Sequence, residues 1–271
     1  ATTTNVGTNY MYGVSMSDAS NGVAVGDTGT IVYTTNGGVD WTAATTTNVG
    51  TANMWGVSMS DASNGVAVGD TGTIVYTTNG GVDWTAATTT NVGTNRMQEV
   101  SMIDASNGVA VGNSGTIVYT TNGGVDWTAA TTTNVGGNHV FGVSMGDASN
   151  GVAVGGSGQI VYTTNGGVDW TATTTNVGAP NLSGVSMGDA SNGVAVGNSG
   201  QIVYTTNGGV TWTDATTTNV GANHMRGVSM IDANNGVAVG QSGKIVFAGS
   251  APSEVGTVST TTGNTQVELS W

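Results

Sequence analysis

The chain has 271 residues, no cysteine, a formal net charge of −13 and only 7% charged residues. These values exclude disulfides and thiolate metal sites, and three basic side chains cannot form a surface for a phosphate backbone or an anionic membrane. No apolar run approaches the length that crosses a bilayer. We therefore expect neither nucleic-acid binding nor membrane insertion.

From the amino terminus to about residue 248, one unit of about 43 residues is repeated. Its marker tryptophans recur at intervals of 43, 43, 43 and 42 residues, at Trp41, Trp84, Trp127, Trp170 and Trp212. The first unit contains four short runs rich in valine and threonine, separated by Gly, Asn, Asp and Ser: 11–16, 21–26, 29–34 and 40–43. Such runs are typical of β-strands, and four of them in this period indicate a propeller blade. A solenoid is the alternative architecture.

The first and fourth strands of the unit do not occur the same number of times. The first-strand motif occurs six times, but the tryptophan-bearing fourth strand occurs five times. The sixth unit stops after Lys244–Phe247, and Ala1–Gly7 repeats Ala44–Gly50, the tail of a fourth strand. We therefore predict an all-β, six-bladed β-propeller over residues 1–249, in which the N-terminal strand completes the last blade and closes the ring.

The repeat is lost in residues 250–271. Ala251-Pro252-Ser253 leads through Val258 to the alternating run Gln266–Trp271. This resembles the opening strands of a fibronectin type III domain, and the resemblance implies a linker and a partial domain within a longer, modular protein. A C-terminal strand pair that packs on the propeller is the alternative.

The segment Thr34–Trp41 resembles the Asp-box of bacterial neuraminidase repeats, with Asn36 in place of its aspartate and Asp40 in place of its threonine. Together with 21–26 and 29–31, the unit is similar to the propeller repeat of the photosystem II assembly-factor type. The resemblance implies a propeller fold and a structural hairpin with Trp41 packed beneath its turn. It implies little about function, because such repeats occur in unrelated proteins. A sialidase would need three arginines for its substrate carboxylate, and this chain has two.

Differences between the six copies are concentrated on one face. The turns between strands one and two and between strands three and four are nearly invariant, which indicates a role in folding. The entry to strand one and the turn between strands two and three vary, and both project from the opposite, top face. The first variable position holds Tyr10, Asn53, Arg96, His139, Asn181 and His224. The second, two residues later, holds Tyr12, Trp55, Gln98, Phe141, Ser183 and Arg226.

The variable turn between strands two and three begins at Asp27, Asp70, Asn113, Gly156, Asn198 and Gln241, and in the last copy it leads to Lys244. All histidines and all basic residues of the chain occupy one of these variable positions. Aromatic, histidine and arginine side chains around one mouth are typical of a recognition surface. We predict that the residues of the two series and Lys244 bind a ligand, and drift at unconstrained positions is the alternative.

Catalytic and metal chemistry find little support. His139 and His224 lie on blades four and six, too far apart to share a metal unless both reach the central channel. Asp18 and its copies are expected to cap their own turns rather than bind calcium. Glu99 replaces a glycine of the other copies and could pair with Arg96 or act on a ligand, but one carboxylate is poor evidence for acid–base catalysis. We predict no cofactor, no metal and no enzymatic activity.

These observations favour a non-catalytic binding or adhesion module, secreted or on the cell surface, that recognises a glycan or a protein through the top face. One alternative is a structural spacer or self-assembling subunit whose mouth packs against a neighbouring domain. The other is a glycosidase or lyase that works at the channel mouth, which would need paired carboxylates beyond Asp27, Asp70 and Glu99.

Overall fold

The computed structural model describes residues 7–46, 49–89, 92–133, 136–175, 177–178, 180–216 and 220–248. Within these ranges the chain forms 24 β-strands, six short 3-10 turns and no α-helix. The strands form six sheets in chain order, which we number as blades 1 to 6. No helix in the same ranges is long and apolar enough to span a membrane.

Blades 1 to 3 have four strands each. Blade 1 contains β1 (Met11–Met16), β2 (Gly22–Gly26), β3 (Ile31–Thr34) and β4 (Thr42–Ala43). Blade 2 contains β5 (Met54–Met59), β6 (Gly65–Gly69), β7 (Ile74–Thr77) and β8 (Thr85–Ala86). Blade 3 contains β9 (Met97–Met102), β10 (Gly108–Gly112), β11 (Ile117–Thr120) and β12 (Thr128–Ala129).

Blades 4 to 6 differ in their outer strands. Blade 4 contains β13 (Thr131–Thr133), β14 (Val140–Met145), β15 (Gly151–Gly155), β16 (Ile160–Thr163) and β17 (Asp169–Ala172), and β13 pairs with β17 as an extra, parallel strand. Blade 5 contains β18 (Leu182–Met187), β19 (Gly193–Gly197), β20 (Ile202–Thr205) and β21 (Thr213–Asp214). Blade 6 contains β22 (Met225–Met230), β23 (Gly236–Gly240) and β24 (Ile245–Ala248).

A 3-10 turn connects the second strand of every blade to the third. The six turns are Asp27–Gly29, Asp70–Gly72, Asn113–Gly115, Gly156–Gly158, Asn198–Gly200 and Gln241–Gly243. Each central residue has a positive φ of 54° to 57° although it is threonine or serine. L-residues other than glycine rarely adopt this conformation, so surrounding contacts must hold each turn in place.

Packing between successive blades forms the core. At the first interface, Val23, Val25 and Ile31 of blade 1 pack against blade 2. The opposing residues of blade 2 are Met54, Val57, Ala67, Val75 and Trp84. Equivalent clusters, each with the tryptophan of the later blade, form the next three interfaces. A blade therefore buries each of its faces only against a neighbouring blade.

The hairpin between the third and fourth strands has the structural role that the Asp-box resemblance implies. In blade 2 the Thr77 hydroxyl accepts a hydrogen bond from the Gly81 N–H and donates one to Asn79 Oδ1, both at 3.0 Å. Asn79 Oδ1 in turn accepts the Asp83 N–H at 3.0 Å, and Trp84 Nε1 donates to the Gly81 carbonyl at 3.0 Å. The expectation that these residues serve folding is confirmed.

The turn between the first and second strands has a capping aspartate, as predicted. The Asp18 carboxylate accepts hydrogen bonds from the Asn21 side chain and from the N–H groups of Ser20 and Asn21. These bonds hold the pKa of Asp18 below its usual value. Its copies make equivalent bonds, so these carboxylates stabilise the turns wherever they are ionised.

The two end faces of the described blades are exposed. Val14 in blade 1 is 65% exposed, whereas its counterpart Val57 in blade 2 is 7% exposed. Ile245 in blade 6 is 59% exposed, whereas its counterpart Ile74 is 2% exposed. The N-terminal strand predicted to complete blade 6 and the fibronectin-like segment 250–271 lie outside the described residues. Ring closure, the count of six blades and the domain boundary therefore stay predictions.

The tryptophan packing can be tested with a matched pair of substitutions. We expect Trp127→Ala to lower the free energy of unfolding by about 3–5 kcal/mol, because Trp127 is buried between two blades. Trp41→Ala should cost clearly less, because Trp41 is already half-buried on an end face. Urea unfolding of both variants measures the difference, and equal losses would contradict the proposed source of stability.

Candidate functional site

Every inner strand has a β-bulge at the second variable position. In blade 1, Met11 pairs with Gly26 and Gly13 pairs with Val25, so Tyr12 between them has no partner across the ladder. The other five blades show the same register shift. A bulge bends its strand and redirects a side chain, so six variable side chains are presented in the same way.

The signal for the bulge was the glycine that ends each second strand. A Cβ on Gly26 would collide with the Tyr10 carbonyl oxygen, which also accepts the Asp27 N–H at 2.9 Å. Sequence reasoning assigned that glycine to the end of the second strand and did not deduce the close approach of the two strands.

The bulged side chain and the first residue of the 3-10 turn form a pair within each of the first three blades. The donors and acceptors are Tyr12 Oη and Asp27 Oδ1 (2.6 Å), Trp55 Nε1 and Asp70 Oδ1 (2.9 Å), and Gln98 Nε2 and Asn113 Oδ1 (2.8 Å). In blade 4, Phe141 has no side-chain donor and Gly156 has no side-chain acceptor. In blades 1 to 3 the two variable sites are therefore matched as donor and acceptor, and in blade 4 both the donor and the acceptor are missing.

Blades 1 to 3 are joined by a stack of three side chains, Tyr12, Trp55 and Arg96, which we call the stacked ladder. The Tyr12 and Trp55 rings lie 4.3 Å apart between centroids at an interplanar angle of 20°. The Arg96 guanidinium carbon lies 4.4 Å from the Trp55 ring centroid, and its Nε donates to Asp70 Oδ1 at 2.6 Å. Stacking and cation–π contacts each contribute about 0.5–1 kcal/mol at such exposed sites.

Two carboxylates hold the ladder in place. Asp70 accepts hydrogen bonds from both Trp55 and Arg96, and Asp27 accepts one from Tyr12. The bond to Asp27 raises the pKa of Tyr12, so its phenol remains a donor at neutral pH. The suggested pairing of Arg96 with Glu99 is wrong, because the Arg96 side chain reaches back to Asp70 of the preceding blade.

The first variable position contacts the turn of the preceding blade. In three blades the N–H of the strained turn residue donates to this side chain. Thr28 donates to Asn53 Oδ1 (2.9 Å), Ser114 to His139 Nδ1 (3.2 Å) and Ser157 to Asn181 Oδ1 (3.0 Å). His224 Nδ1 lies 2.7 Å from Asn198 Oδ1 of the preceding blade. With the Arg96–Asp70 pair, five of the six residues in this series thus bridge two blades. Tyr10, in blade 1, is 74% exposed.

The two histidines are therefore held in separate contacts between blades. His139 also lies beside Phe141, with ring centroids 6.1 Å apart. In the described ranges, no group of three or more His, Asp or Glu side chains is placed to hold a metal ion.

Charge is distributed unevenly over the top face. The carboxylates Asp27 and Asp70 are bonded to the stacked ladder in blades 1 and 2. Arg226 is exposed at the bulge of blade 6, and Lys244 follows the turn of the same blade. An open hollow of about 410 Å³ lies beside the ladder and is lined by Val49, Thr51, Ala52, Asn53, Asp70, Thr71 and Thr73.

Glu99 occupies an inner-strand position that is glycine in the other five blades. Its strand lies close to the neighbouring one, since a Cβ on Gly56 would be 3.0 Å from the Glu99 Cα. Burial raises the pKa of the Glu99 carboxyl to about 7, although a hydrogen bond from the Val100 N–H acts in the opposite direction. Glu99 therefore disfavours folding when it is ionised.

Comparison with known proteins places this architecture in a family. The model of the family described as photosynthesis system II assembly factor YCF48 matches residues 3–141 and 45–182, which together span about two thirds of the chain. The chain belongs to this family. The sequence resemblance to assembly-factor repeats is thus confirmed. No curated protein matches the chain significantly.

Solved structures share the propeller-type fold at low identity. YCF48 bound to a D1 peptide is 16% identical, with 90% of this chain and 92% of that chain covered and a TM-score of 0.56. A catalytically inactive virginiamycin B lyase from Staphylococcus aureus, with quinupristin, is 15% identical, with 92% and 86% covered and a TM-score of 0.71. The GH74 enzyme of Niastella koreensis is 22% identical, with 90% of this chain but 37% of that chain covered and a TM-score of 0.62. At such identities these likenesses show the fold alone.

The bridging role of the first variable position can be measured. Asn181→Ala should lower the free energy of unfolding by about 1 kcal/mol, because the Ser157 N–H loses its acceptor in a strained turn. Tyr10→Ala should change it by less than about 0.5 kcal/mol, because Tyr10 is largely exposed. Thermal or urea unfolding of the two variants checks this, and equal effects would argue against bridging by Asn181.

Glu99 predicts a pH dependence of stability. The unfolded carboxyl ionises near its ordinary pKa of 4.5, whereas the folded one stays protonated to about pH 7. Stability should therefore fall as pH rises from about 4.5 to 7 and then level off, by at most about 3 kcal/mol. Glu99→Gln should remove this loss. The capping aspartates affect stability at lower pH, where stability falls on acidification. Urea midpoints between pH 4.5 and 8 therefore isolate the effect of Glu99. An unchanged pH profile in the Glu99→Gln variant would contradict the burial of the Glu99 carboxyl.

Proposed function

We propose that the chain is a non-catalytic protein-binding module that holds an extended peptide segment of its partner across the top face. The observation that carries this proposal is the stacked ladder, a rigid aromatic platform whose rings are fixed by Asp27 and Asp70 before any ligand arrives. Preorganised rings lose little side-chain entropy on binding, which favours affinity.

The ladder supplies contact area for the apolar part of a peptide. Tyr12 and Trp55 are both partly exposed, and their polar atoms are already bonded to carboxylates. Their accessible ring surface is therefore suited to apolar side chains and to the peptide backbone, as aromatic residues are at protein interfaces.

The basic residues of blade 6 would fix the orientation of the bound peptide. Arg226 and Lys244 suit a carboxylate, either an acidic side chain or a free C-terminus, whereas the ladder lies with the carboxylates of blades 1 and 2. In a ring closed by the N-terminal strand, as the sequence predicts, blade 6 would lie next to blade 1. One peptide could then contact both regions.

The predicted site residues divide into two groups on this view. Direct contact is proposed for the residues at the bulges together with Tyr10 and Lys244: Tyr12, Trp55, Gln98, Phe141, Ser183 and Arg226. A supporting role is proposed for the residues that bridge blades: Asn53, Arg96, His139, Asn181 and His224. The bridging residues shape the face by holding the turns and, through Arg96, one side of the Trp55 ring.

The family supports binding over catalysis, since it is described as an assembly factor and one of its solved members holds a D1 peptide. Composition supports a secreted or cell-surface location, with few charged residues and abundant threonine, asparagine, glycine and serine. A glycan ligand for the same face is an outcome that the experiment below distinguishes.

Selection from a random decapeptide display library against the full chain, with a glycan panel in parallel, tests the proposal. We expect peptides that combine an apolar residue with a carboxylate. Trp55→Ala and Arg226→Ala should each weaken a selected peptide at least tenfold, about 1.4 kcal/mol. Val39→Ser, at an exposed hairpin of blade 1, is the matched control and should change nothing.

Trp55 also provides a fluorescence signal for peptide binding. It is the one tryptophan of the described residues that lies on the top face, so peptide binding should change the emission of the wild type but not of Trp55→Phe. Retained binding in Tyr12→Ala, Trp55→Ala and Arg226→Ala together would refute the top-face assignment, and binding of glycans alone would replace the peptide.

A further inference from the structure

Glu99 places a side chain where the inner strands of neighbouring blades otherwise meet through glycine. At the interface of blades 1 and 2, a Cβ on Gly13 would lie 3.5 Å from the Gly56 Cα. At the interface of blades 4 and 5, a Cβ on Gly142 would lie 3.3 Å from the Gly184 Cα. This position therefore faces the following blade at close range, and blade 3 alone has a side chain there.

The repeat directs the Glu99 side chain into the interface with blade 4. Its strand β9 packs against β14, where the opposite residue is Gly142. Across its own sheet Glu99 pairs with Val111, which belongs to the apolar cluster of the same interface. Glu99 is half-buried near the upper end of this interface, and burial raises the pKa of its carboxyl.

The charge on Glu99 and close contact between blades 3 and 4 oppose each other. A charged carboxylate in an apolar interface is stabilised only where water reaches it. Water reaches Glu99 more readily when the upper ends of β9 and β14 separate, whereas the protonated carboxyl tolerates their contact. Ionisation therefore favours a looser arrangement of these two strands.

Two of the proposed contact residues lie at the same point. Gln98 directly precedes Glu99 at the bulge of blade 3, and its Nε2 donates to Asn113 Oδ1 at 2.8 Å. Phe141 occupies the bulge of blade 4 and directly precedes Gly142. A peptide that contacts Gln98 and Phe141 covers the opening above Glu99 and removes water from it. Binding should therefore favour the protonated carboxyl, and by linkage protonation should favour binding to the same extent.

We propose that Glu99 is a positioning residue that makes peptide binding at the top face depend on pH, with its protonated form as the one that binds. This inference rests on the proposed function of the top face.

Few other charges face Glu99 in the part of the chain that the structure describes. Of the elements that pack against β9, the strands β5, β6, β10 and β14 have no titratable side chain. The turn of blade 2 carries Asp70, which is paired with Arg96. His139 directly precedes β14, and histidine ordinarily changes its charge between pH 5 and 8. His139 is therefore the group whose contribution a control has to separate from that of Glu99.

The first measurement is the affinity of a selected decapeptide at pH 6 and at pH 8.5, by fluorescence anisotropy with a rhodamine label and an acetylated N-terminus. Affinity for the unmodified chain should fall about five- to tenfold at the higher pH, the effect of a rise of about one unit in the pKa of Glu99 on binding. Glu99→Gln should lose most of this dependence, and so should Glu99→Gly, which has the residue of the other five copies. His139→Gln should retain it.

The second measurement follows the Glu99 carboxyl directly. The chain has three glutamates, so labelling of glutamate carboxyls with ¹³C gives a simple NMR spectrum, in which Glu99→Gln identifies the Glu99 signal. The midpoint of its titration should rise by about one pH unit when the chain is saturated with the same peptide. The rise and the loss of affinity must agree, because they measure one coupling free energy.

The outcomes separate this inference from the proposed function. Failure to select any peptide, or binding that survives in Tyr12→Ala, Trp55→Ala and Arg226→Ala together, would overturn both. Three other results would overturn only the control by Glu99. These are equal affinity of the top-face peptide at the two pH values, a pH dependence that survives both Glu99 substitutions, and a Glu99 titration midpoint that the peptide leaves unchanged.

Discussion

The burial of one blade's tryptophan against the valines of the blade before it is the contact on which the rest of the structure depends. A blade is a thin sheet with two apolar faces and cannot bury either of them alone. Stability must therefore come from nearest neighbours, as in other repeat proteins, and each interface repeats the same solution. This explains why the hairpin around Trp84 and its copies barely changes from blade to blade, and why Val14 and Ile245 are exposed on the end faces of the described blades.

This constraint leaves the top face free to vary. Core packing uses the middle of each strand and the hairpins between the third and fourth strands. The bulge, in contrast, takes one side chain per blade out of the regular pairing between the first and second strands. Variation at the bulge is still not independent of structure: Tyr12 and Trp55 bond to carboxylates at the turns of their own blades, while the turn of Phe141's blade has Gly156 at that position. The Thr28 turn and its copies are strained at positive φ, and bridging residues from the next blade hold most of them. The proposed recognition face and the packing between blades thus share the same turns.

Sequence reasoning predicted the period and the four strands per unit, because these follow from local spacing, and the resemblance to the Asp-box implied the structural hairpin. It could not predict which blade Arg96 contacts. Pairing with Glu99 was suggested by their closeness in sequence, but the partner is Asp70, 26 residues earlier, because the entry to a first strand faces the preceding turn. The bulges were missed for a related reason, since the glycine that permits each one was read as the ordinary end of a strand. Contacts between blades depend on tertiary geometry, which the repeat period alone does not reveal.

The same fold supports catalysis in other proteins, so the case for binding must rest on what the carboxylates of this chain do. Asp70 accepts hydrogen bonds from Trp55 and Arg96, and Asp27 accepts one from Tyr12. A general acid or base needs a carboxyl group directed at the substrate, whereas both of these carboxylates accept hydrogen bonds from the protein's own donors. Glu99 does have a raised pKa, but it lies on an inner strand, in the place of a glycine. Asp27 and Asp70 therefore hold the rings of Tyr12 and Trp55 in place, which is the arrangement that the proposed binding surface requires.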